Sequence, residues 1–365
     1  MEAPQTSKEN KGVTGLANMR NTCYLNAALQ ALRHNTEITA FFLEGRHEQW
    51  LQRKPSSPRV ELVRGYADIL KSLWSGSKPA YVRPQGFLEA VMPAAKAAGF
   101  EQFLTPMQHD SHEFLVFLLD QLHEGMAEEV NIEIRRPPAE TEKDRTIQSA
   151  LEAWKRFFGR QYSPLTEMIY GLMQITMTCK GCNKKVHNWE TFNCLKLPIP
   201  QKAEGALPSL ESMLKEDFKD EEIEGYACDT CKPTRTVAVR SSRIWRLPRM
   251  VCLAIKRFTP DGRKIHTAVD FPPAAEPIQF TQFFSSDSPE PSKGQLYQSF
   301  AIVDHHGSSR GGHYVAQAKS PLTDKWHVFD DETAHSVEEP RFGENTYIVF
   351  LKPSVVAAAA SVSGV

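Results

Sequence analysis

A single cysteine stands where a loop passes into a helix near the start of the chain. Beyond it, apolar residues recur at helical spacing, namely Leu25, Ala28, Leu29 and Leu32. Asn21 and Thr22 are residue types that begin helices, so Cys23 should fall in the first turn. The free backbone N–H groups and the helix dipole favour an anion there, and we expect an acidified thiol. Cys23 is therefore a candidate nucleophile, with a small packing residue at a helix start as the simpler alternative.

A histidine and an aspartate near the end of the chain have the spacing of a β-hairpin. Gly311 and Gly312 allow a close backbone turn before His313, and polar and apolar residues alternate from there, with a turn expected at 320–323. If that turn closes the hairpin, His313 lies directly opposite Asp330. A histidine oriented by an aspartate can take the proton of a thiol. An ordinary hairpin carrying a surface histidine and aspartate is the alternative.

Four of the seven cysteines form two C-x-x-C pairs, Cys179 with Cys182 and Cys228 with Cys231. Each pair can bind one edge of a metal ion, and together they supply the four thiolates of a tetrahedral zinc site. The gap between the pairs is longer than in a zinc ribbon, so we expect them at the tips of long β-hairpins. Four thiolates leave no open coordination position, so the predicted zinc is structural.

The composition excludes several classes of function. The 365 residues are 41% hydrophobic and 24% charged, with a formal net charge of −1, which does not favour binding to nucleic acid or to an anionic membrane. The first residues carry no secretory signal, and no segment approaches the roughly 20 apolar residues of a membrane span. We therefore expect an intracellular protein, in the cytoplasm and/or nucleus, with reduced cysteines and no nucleic-acid or membrane partner.

The elements that must position these groups are predicted to be mainly helices in the first part of the chain and mainly strands in the last part. We expect a disordered leader over 1–11, a charged loop over 131–148, and a flexible tail over 354–365. Periodicity predicts helices over 60–74, 84–98, 108–122 and 150–158. At the start of the third helix, Gln108 and Asp110 can be explained by simple capping. Short β-favouring runs begin near residue 168, so the chain is predicted to be α+β.

In this order, the elements resemble the catalytic domain of the ubiquitin-specific proteases. The segment Gly15–Asn26 is similar to the cysteine box of that family, and Gly311–Ala316 with Trp326–Asp331 is similar to its histidine box. The segments 108–115, 247–258 and 271–272 follow its intermediate motifs, and the C-x-x-C pairs match the zinc knuckles of its fingers subdomain. The resemblance implies a papain-like cysteine protease domain over 12–353. Its parts would be a helical thumb (about 12–165), zinc-bearing β-hairpin fingers (about 166–240) and a β-rich palm (about 241–353).

The resemblance also implies a role for each matched residue. Cys23 corresponds to the nucleophile, His313 to the general base and Asp330 to the acid that orients it. Asn18 corresponds to the oxyanion-hole asparagine, and Asp331 to a second aspartate that supports the site. A further set corresponds to positions that contact the extended tail of ubiquitin: Gln108, Asp110, Phe258, His305, Gly312 and Tyr314.

One residue departs from the motif close to the thiol. Arg20 stands where the family commonly has glycine, and the sequence offers no physical reason for an arginine there. Every position that carries chemistry in the family is present, so an inactive relative is not favoured.

The implied activity is that of a thiol-dependent deubiquitinase, which hydrolyses the isopeptide bond at the C-terminal glycine of ubiquitin. The implied cofactor is a structural zinc. The implied partners are ubiquitin and ubiquitinated proteins, with the protein itself a monomer or a subunit of a regulatory complex. Two alternatives remain open: a protease for another ubiquitin-like modifier, and a non-catalytic ubiquitin-binding scaffold on the same fold.

Overall fold

The computed structural model of the protein describes residues 12–75, 80–200, 206–308 and 311–354. The leader expected over 1–11 lies outside the described residues, as does the expected tail apart from Ser354. None of the described helices is long and apolar enough to cross a membrane.

Helices form most of the N-terminal half. Every residue of α1 is buried, since apolar and small side chains surround it and other elements cover it on all sides. The helix α4 begins after Ser57, whose hydroxyl accepts a hydrogen bond from the backbone N–H of Val60 at 3.3 Å. The helices are α1 (Cys23–Leu32), α2 (Thr36–Leu43), α3 (Glu48–Leu51), α4 (Pro58–Trp74), α5 (Gln85–Ala98), α6 (Ser111–Met126), α7 (Glu142–Phe158), α8 (Thr166–Ile169) and α9 (Leu210–Asp217).

The strands form two large sheets and one short pair. A four-stranded antiparallel sheet has the order β4-β3-β7-β6, and the larger sheet runs β13-β12-β11-β10-β14-β8-β5, with β9 paired to β10. Among the described strands of the larger sheet, only β5 and β8 pair in parallel. The strands are β1 (Gly15–Leu16), β2 (Tyr81–Val82), β3 (Gly171–Cys179), β4 (Lys185–Phe192), β5 (Leu195–Leu197), β6 (Glu221–Tyr226), β7 (Thr236–Arg246), β8 (Val251–Ile255), β9 (Ile278–Gln279), β10 (Leu296–Ser308), β11 (Gly311–Lys319), β12 (Trp326–Asp330), β13 (Thr333–Val337) and β14 (Thr346–Pro353).

The main hydrophobic core joins the helices to the larger sheet. It includes Leu29 of α1, Leu62 of α4 and Phe114 of α6 on the helical side, with Ala316 of β11 and Phe350 of β14 on the sheet. Burying a large apolar side chain contributes about 1.5–3 kcal/mol, so this shared core fixes α1 against β10, β11 and β12. The first turn of α1 is therefore held next to the hairpin that carries His313.

The predicted α+β class is confirmed, but one predicted loop is wrong in part. The segment 131–148 includes the start of α7, which begins at Glu142. The Thr141 hydroxyl accepts a hydrogen bond from the backbone N–H of Asp144 at 3.1 Å, and the Asp144 carboxylate accepts one from the backbone N–H of Thr141 at 3.1 Å. This reciprocal capping box stabilises a helical first turn in spite of its charge. The boundaries given above for thumb, fingers and palm stay a prediction.

Candidate active site

Cys23 is the first residue of α1 and is 2% exposed. The helix therefore begins where the sequence predicts. Thr22 precedes it, but the Thr22 hydroxyl accepts a hydrogen bond from the backbone N–H of Met19 at 2.8 Å and does not cap the helix. The unused N–H groups of the first turn thus remain close to the thiol.

The prediction that the helix start acidifies this thiol is wrong. Burial raises the pKa of Cys23, and the negative charge of Asp331 raises it further, although backbone N–H groups of Tyr314 and Tyr24 act in the opposite direction. The helix terminus does not compensate for removal of the thiolate from water. At neutral pH the thiol of the free protein is therefore protonated, and nucleophilic attack needs a base.

His313 on β11 pairs with Asp330 at the end of β12. Its Nε2 atom lies 2.5 Å from a carboxylate oxygen of Asp330, and both side chains are 40–48% exposed. No described residue hydrogen-bonds the other ring nitrogen, Nδ1, which can therefore receive a proton. Within the described residues, no hydrogen bond joins this ring to the sulfur of Cys23. Such contacts are often long in a free enzyme and tighten when substrate binds.

The predicted register of the hairpin is wrong by two residues. Ala316 pairs with Phe329, so that the same register puts Asp330 opposite Val315 and not opposite His313. Side chains two positions apart on a strand share a face of the sheet. His313 and Asp330 are therefore diagonal neighbours, which is still within reach of a hydrogen bond.

The connecting loop explains the difference in register. The backbone N–H of Ser320 donates to the carbonyl of Lys325 at 2.9 Å, so the loop closes two residues later than a turn at 320–323. Asp324 within it has a positive φ of 61°, a conformation that aspartate tolerates better than most residues. The longer loop thus follows from a left-handed residue that the sequence pattern did not reveal.

Asp331 holds two asparagine side chains. One of its carboxylate oxygens accepts a hydrogen bond from Nδ2 of Asn18 at 2.7 Å, and the other accepts one from Nδ2 of Asn26 at 2.8 Å. The side-chain carbonyl of Asn18 accepts a further bond from the backbone N–H of Thr22 at 3.1 Å. These contacts fix the orientation of the Asn18 amide and leave its second N–H able to donate elsewhere.

Backbone packing ties the segment before Cys23 to the aspartates. The backbone N–H of Leu16 donates to the carbonyl of Asp331 at 2.7 Å, and that of Asn18 donates to the Glu332 carboxylate at 3.0 Å. A Cβ atom on Gly15 would lie 2.3 Å from the carbonyl oxygen of Glu332. Only glycine permits this close approach, which brings the loop of Asn18 against the residues that follow β12.

The residues implied to contact the ubiquitin tail line one groove of about 360 Å³ beside the start of α6 and strands β10 and β11. They are Gln108, Asp110, Phe258, His305, Gly312 and Tyr314. The structure therefore brings all six together, and their role in binding stays a prediction.

Two of these residues also have structural contacts. The Gln108 side chain donates to the carbonyl of Gly312 and accepts from its N–H, both at 2.8 Å. Asp110 caps α6 by accepting from the backbone N–H of Glu113 at 2.9 Å, as the capping interpretation predicts, and accepts from the Tyr347 hydroxyl at 2.5 Å. The groove is thus closely tied to the residue before His313.

An aromatic cluster forms one wall of the groove. The His305 ring lies 5.4 Å from that of Phe258 and 4.6 Å from that of Tyr314, between centroids. Burial lowers the pKa of His305 to about 4, and the charge of Lys264 contributes in the same direction. His305 is therefore neutral at pH 7 and serves as part of an apolar wall.

Three contributors to the site escaped the sequence analysis: Asn26, Glu332 and Tyr347. A signal for Asn26 exists, because it is a polar residue in the mostly apolar α1 and is buried there, as Gln30 also is. Glu332 and Tyr347 act through contacts with residues distant in sequence, which local patterns do not reveal.

The backbone at Arg20 adopts a conformation that favours glycine. Its φ is 68°, and that of Asn21 is 57°, so two successive residues adopt the left-handed conformation. Glycine adopts this conformation freely, whereas another L-residue loses about 1–2 kcal/mol. The loop before Cys23 therefore has the shape that glycine favours, and Arg20 is strained within it.

Arg20→Gly is expected to raise the free energy of unfolding by up to about 1 kcal/mol. Relief of backbone strain exceeds the greater entropy of glycine in the unfolded chain. Chemical denaturation followed by circular dichroism measures the change. Arg145→Gly is the matched control, since it removes an exposed arginine from the first turn of α7 and should lower stability by up to about 1 kcal/mol. Equal losses for both variants would refute strain at Arg20.

The four paired cysteines meet at the tips of two hairpins, β3–β4 and β6–β7. The sulfur atoms of Cys179 and Cys231 are 3.8 Å apart, those of Cys182 and Cys228 are 3.6 Å apart, and all four lie within 4.8 Å of one another. A tetrahedral site with metal–sulfur distances of about 2.3 Å separates its sulfurs by about 3.8 Å. The cluster therefore fits a metal ion of that size.

The fold is that of the ubiquitin-specific proteases. The SAGA DUB module containing Ubp8, Sgf11, Sus1 and Sgf73 bound to monoubiquitin matches with a TM-score of 0.71 at 22% identity, covering 98% of this chain and 72% of the other. The same module bound to ubiquitin aldehyde matches with a TM-score of 0.69 at 22% identity, covering 96% of this chain and 71% of the other. At this identity the likeness concerns the fold.

Sequence comparison gives the family. The family model described as ubiquitin carboxyl-terminal hydrolase matches residues 14–351, and the chain belongs to this family. Ubiquitin carboxyl-terminal hydrolase 2 of Bos taurus is 28% identical over 94% of this chain and 55% of its own length. The protein of the same name from Gallus gallus is 30% identical over 90% of this chain and 89% of its own length. Ubiquitin carboxyl-terminal hydrolase 21 of Homo sapiens is 28% identical over 93% of this chain and 61% of its own length. The chain thus spans little more than half the length of the two mammalian relatives.

Proposed function

We propose that the protein is a thiol-dependent deubiquitinase that hydrolyses the isopeptide bond at the C-terminal glycine of ubiquitin. The observation that carries the proposal is the hydrogen bond between His313 and Asp330, on a hairpin packed beside the first turn of α1. Family membership supports it, as does the fold shared with a module solved in complex with monoubiquitin.

The proposed reaction begins with the protonated thiol of Cys23. His313 removes its proton through Nδ1, while Asp330 fixes the ring through Nε2 and stabilises the resulting cation. The thiolate attacks the carbonyl carbon of the glycine, and the free N–H of the Asn18 amide donates to the oxygen that becomes negative. His313 returns the proton to the leaving lysine amine, and water then hydrolyses the acyl-enzyme.

Binding of the ubiquitin tail is proposed to complete the alignment of the site. The groove ends at Gly312, directly before His313, and Gln108 anchors the Gly312 backbone from the other side. A Cβ atom on Gly312 would lie 2.2 Å from the carbonyl oxygen of His306, so the strand has little space at this point. A peptide placed in the groove contacts the segment that positions the general base.

Hydrolysis of a fluorogenic ubiquitin conjugate tests the proposal, together with a panel of covalent probes built on different modifiers. We expect turnover, and labelling of Cys23 by the ubiquitin probe. Binding of ubiquitin without turnover would support the scaffold alternative. Labelling of Cys23 only by the probe of another ubiquitin-like modifier would replace the proposed substrate.

We further propose that the four-cysteine cluster holds a structural zinc. The cysteines lie at the tips of two hairpins, and most residues of the adjoining strand β6 are exposed. A metal supplies there the stability that a hydrophobic core supplies elsewhere. Four thiolates complete the coordination, so this zinc takes no part in the chemistry of Cys23.

Cys228→Ser is expected to release the zinc and loosen the hairpins, because three thiolates bind it much less tightly than four. Zinc content per chain, measured by atomic emission, should fall from about one to near zero after mild chelation. Cys194→Ser is the matched control and should retain zinc, since Cys194 lies outside the cluster. Unchanged zinc content in Cys228→Ser would refute the proposed ligand set.

The proposed partners are ubiquitin and ubiquitinated proteins, without nucleic acid or membrane. All seven cysteines are free of disulfide bonds, which supports an intracellular location, in the cytoplasm and/or nucleus. The Ubp8 module contains three further proteins. This composition supports the proposal that the present protein is a subunit of a regulatory complex, and a monomer is the simpler alternative.

A further inference from the structure

Two cysteines outside the metal cluster and the catalytic set contact each other between neighbouring strands. Cys194 directly precedes β5, and Cys252 lies in β8. These strands pair in parallel with Leu195 opposite Leu253, which puts the two cysteines at adjacent positions. The sulfur atoms of Cys194 and Cys252 are 3.0 Å apart, within hydrogen-bonding contact.

The pair does not belong to a metal site. Among the described residues, groups of three or more potential ligands with donor atoms close together are limited to the four-cysteine cluster and to His313 with Asp330 and Asp331. Two thiols alone leave half of a tetrahedral coordination shell empty. The chemistry open to Cys194 and Cys252 is therefore that of a dithiol.

Cys194 is the accessible member of the pair. It lines a cavity of about 470 Å³ between α6 and β8, a space that admits water or a small oxidant. Cys252 is 1% exposed and does not line the cavity. An oxidant that enters the cavity thus meets Cys194 first, with Cys252 directly behind it.

His112 of α6 faces the same cavity and is 8% exposed. Its Nε2 atom is buried and has no hydrogen-bond partner among the described residues. Burial disfavours the thiolate of Cys194, but hydrogen bonding to Cys252 and the proximity of His112 outweigh it and lower the pKa of Cys194. The thiolate is the form of cysteine that reacts with peroxide.

We propose that Cys194 and Cys252 are a peroxide-sensitive dithiol that closes to a disulfide bond. Neighbouring strands lie about 4.8 Å apart, which falls within the Cα separation of about 4.4–6.8 Å that a disulfide spans. The contact between the two sulfurs therefore needs only a small side-chain movement to become a bond. The cavity also contains Asp110 and Phe258, so the disulfide lies next to the proposed groove for the ubiquitin tail.

The oxidation has two steps and consumes one hydrogen peroxide. The Cys194 thiolate attacks one peroxide oxygen, an S–O bond forms, the O–O bond breaks, and hydroxide leaves with the thiol proton as water. Cys252, after losing its proton, attacks the sulfur of the resulting sulfenic acid. The S–S bond forms, the S–O bond breaks, and a second water leaves. Two thiols lose two electrons in total, and peroxide gains them.

Peptide mapping of the zinc-loaded protein tests the proposal. A Cys23→Ala background removes the proposed nucleophile, which is itself open to oxidation. After peroxide treatment, alkylation of free thiols and digestion with trypsin, Cys194 lies in peptide 186–196 and Cys252 in peptide 250–256, each as its only cysteine. We expect these two peptides to be disulfide-linked, and dithiothreitol to separate them.

Two variants separate the members of the pair. In Cys252→Ala, Cys194 should stop at the sulfenic acid and be labelled by dimedone. In Cys194→Ser, the peptide that carries Cys252 should remain unoxidised. Circular dichroism verifies that each variant folds. If Cys252→Ala does not fold, the presence or absence of the disulfide-linked peptides in the Cys23→Ala protein still tests the proposal. Over-oxidation of Cys194 while Cys252 stays free, or linkage of Cys194 to a cysteine of the metal cluster, would overturn the proposal.

Discussion

Cys23→Ala is expected to reduce turnover of a fluorogenic ubiquitin conjugate on the order of 10⁴-fold or more, by analogy with removal of other enzymatic nucleophiles. The proposed mechanism forms a covalent bond between this sulfur and the glycine carbonyl, and alanine has no atom that can replace it. Binding of ubiquitin should persist, because the groove residues are elsewhere in the chain. Steady-state kinetics and calorimetric titration with ubiquitin measure the two effects.

Cys252→Ala is the matched control for this prediction. It also removes a buried thiol, here 1% exposed, but from β8 and not from the first turn of α1. Turnover by Cys252→Ala should therefore stay close to that of the parent protein. Activity near the parental value in Cys23→Ala would mean that another residue is the nucleophile.

The position of Cys23 was predictable from sequence, but its electrostatic environment was not. Helix-starting residues and a helical apolar stripe are local properties, so they mark the start of α1 without a structure. The pKa of the thiol depends on burial and on Asp331, which comes from the opposite end of the chain. Burial is the larger of these two effects, and together with the distant charge it reverses the direction of the pKa shift that the helix terminus alone suggests.

The hairpin that carries His313 and Asp330 shows a second limit to what the sequence predicts. The alternation of polar and apolar residues fixes the face on which His313 and Asp330 lie, because that pattern has a period of two. The loop length determines which residues are opposite, and the left-handed Asp324 changes it. The contact of His313 with Asp330 survives because a shift by two residues preserves the face.

Local signals were also present where the sequence analysis missed an element. Thr141 and Asp144 have the spacing of a capping box, yet the charge of segment 131–148 favoured a loop. The strain at Arg20 is different, since the sequence shows only that glycine is absent. The positive φ of Arg20 causes this strain, and only the structure reveals it.

Asp331→Asn is expected to lower turnover by about 10²–10³-fold, the loss that follows removal of one oxyanion-hole donor. The carboxylate has an acceptor oxygen for each of the Asn18 and Asn26 side chains. An asparagine at this position has one acceptor and would direct an N–H group at the other donor. The Asn18 amide then loses its fixed orientation towards the developing oxyanion.

A double-mutant cycle with Asn18→Ala tests whether Asp331 acts through Asn18. If it does, the double variant should be about as slow as the slower single variant, because both changes remove the same stabilisation. Losses that multiply would instead show that the two residues act independently. The kinetic parameter to compare is kcat/KM for the ubiquitin conjugate.

The reactivity of the thiol provides a readout that general damage to the site would not produce. The negative charge of Asp331 raises the pKa of Cys23, so its removal should lower that pKa and shift alkylation by iodoacetamide towards lower pH. Asp331→Asn should therefore alkylate faster than the parent at neutral pH while it turns over substrate more slowly. Asp330→Asn is the matched control: it also impairs turnover, through the orientation of His313, but it leaves in place the Asp331 charge that raises the thiol pKa. An alkylation profile of Asp331→Asn that coincides with the parental one would refute this electrostatic role, because the same carboxylate must both orient Asn18 and oppose ionisation of the thiol.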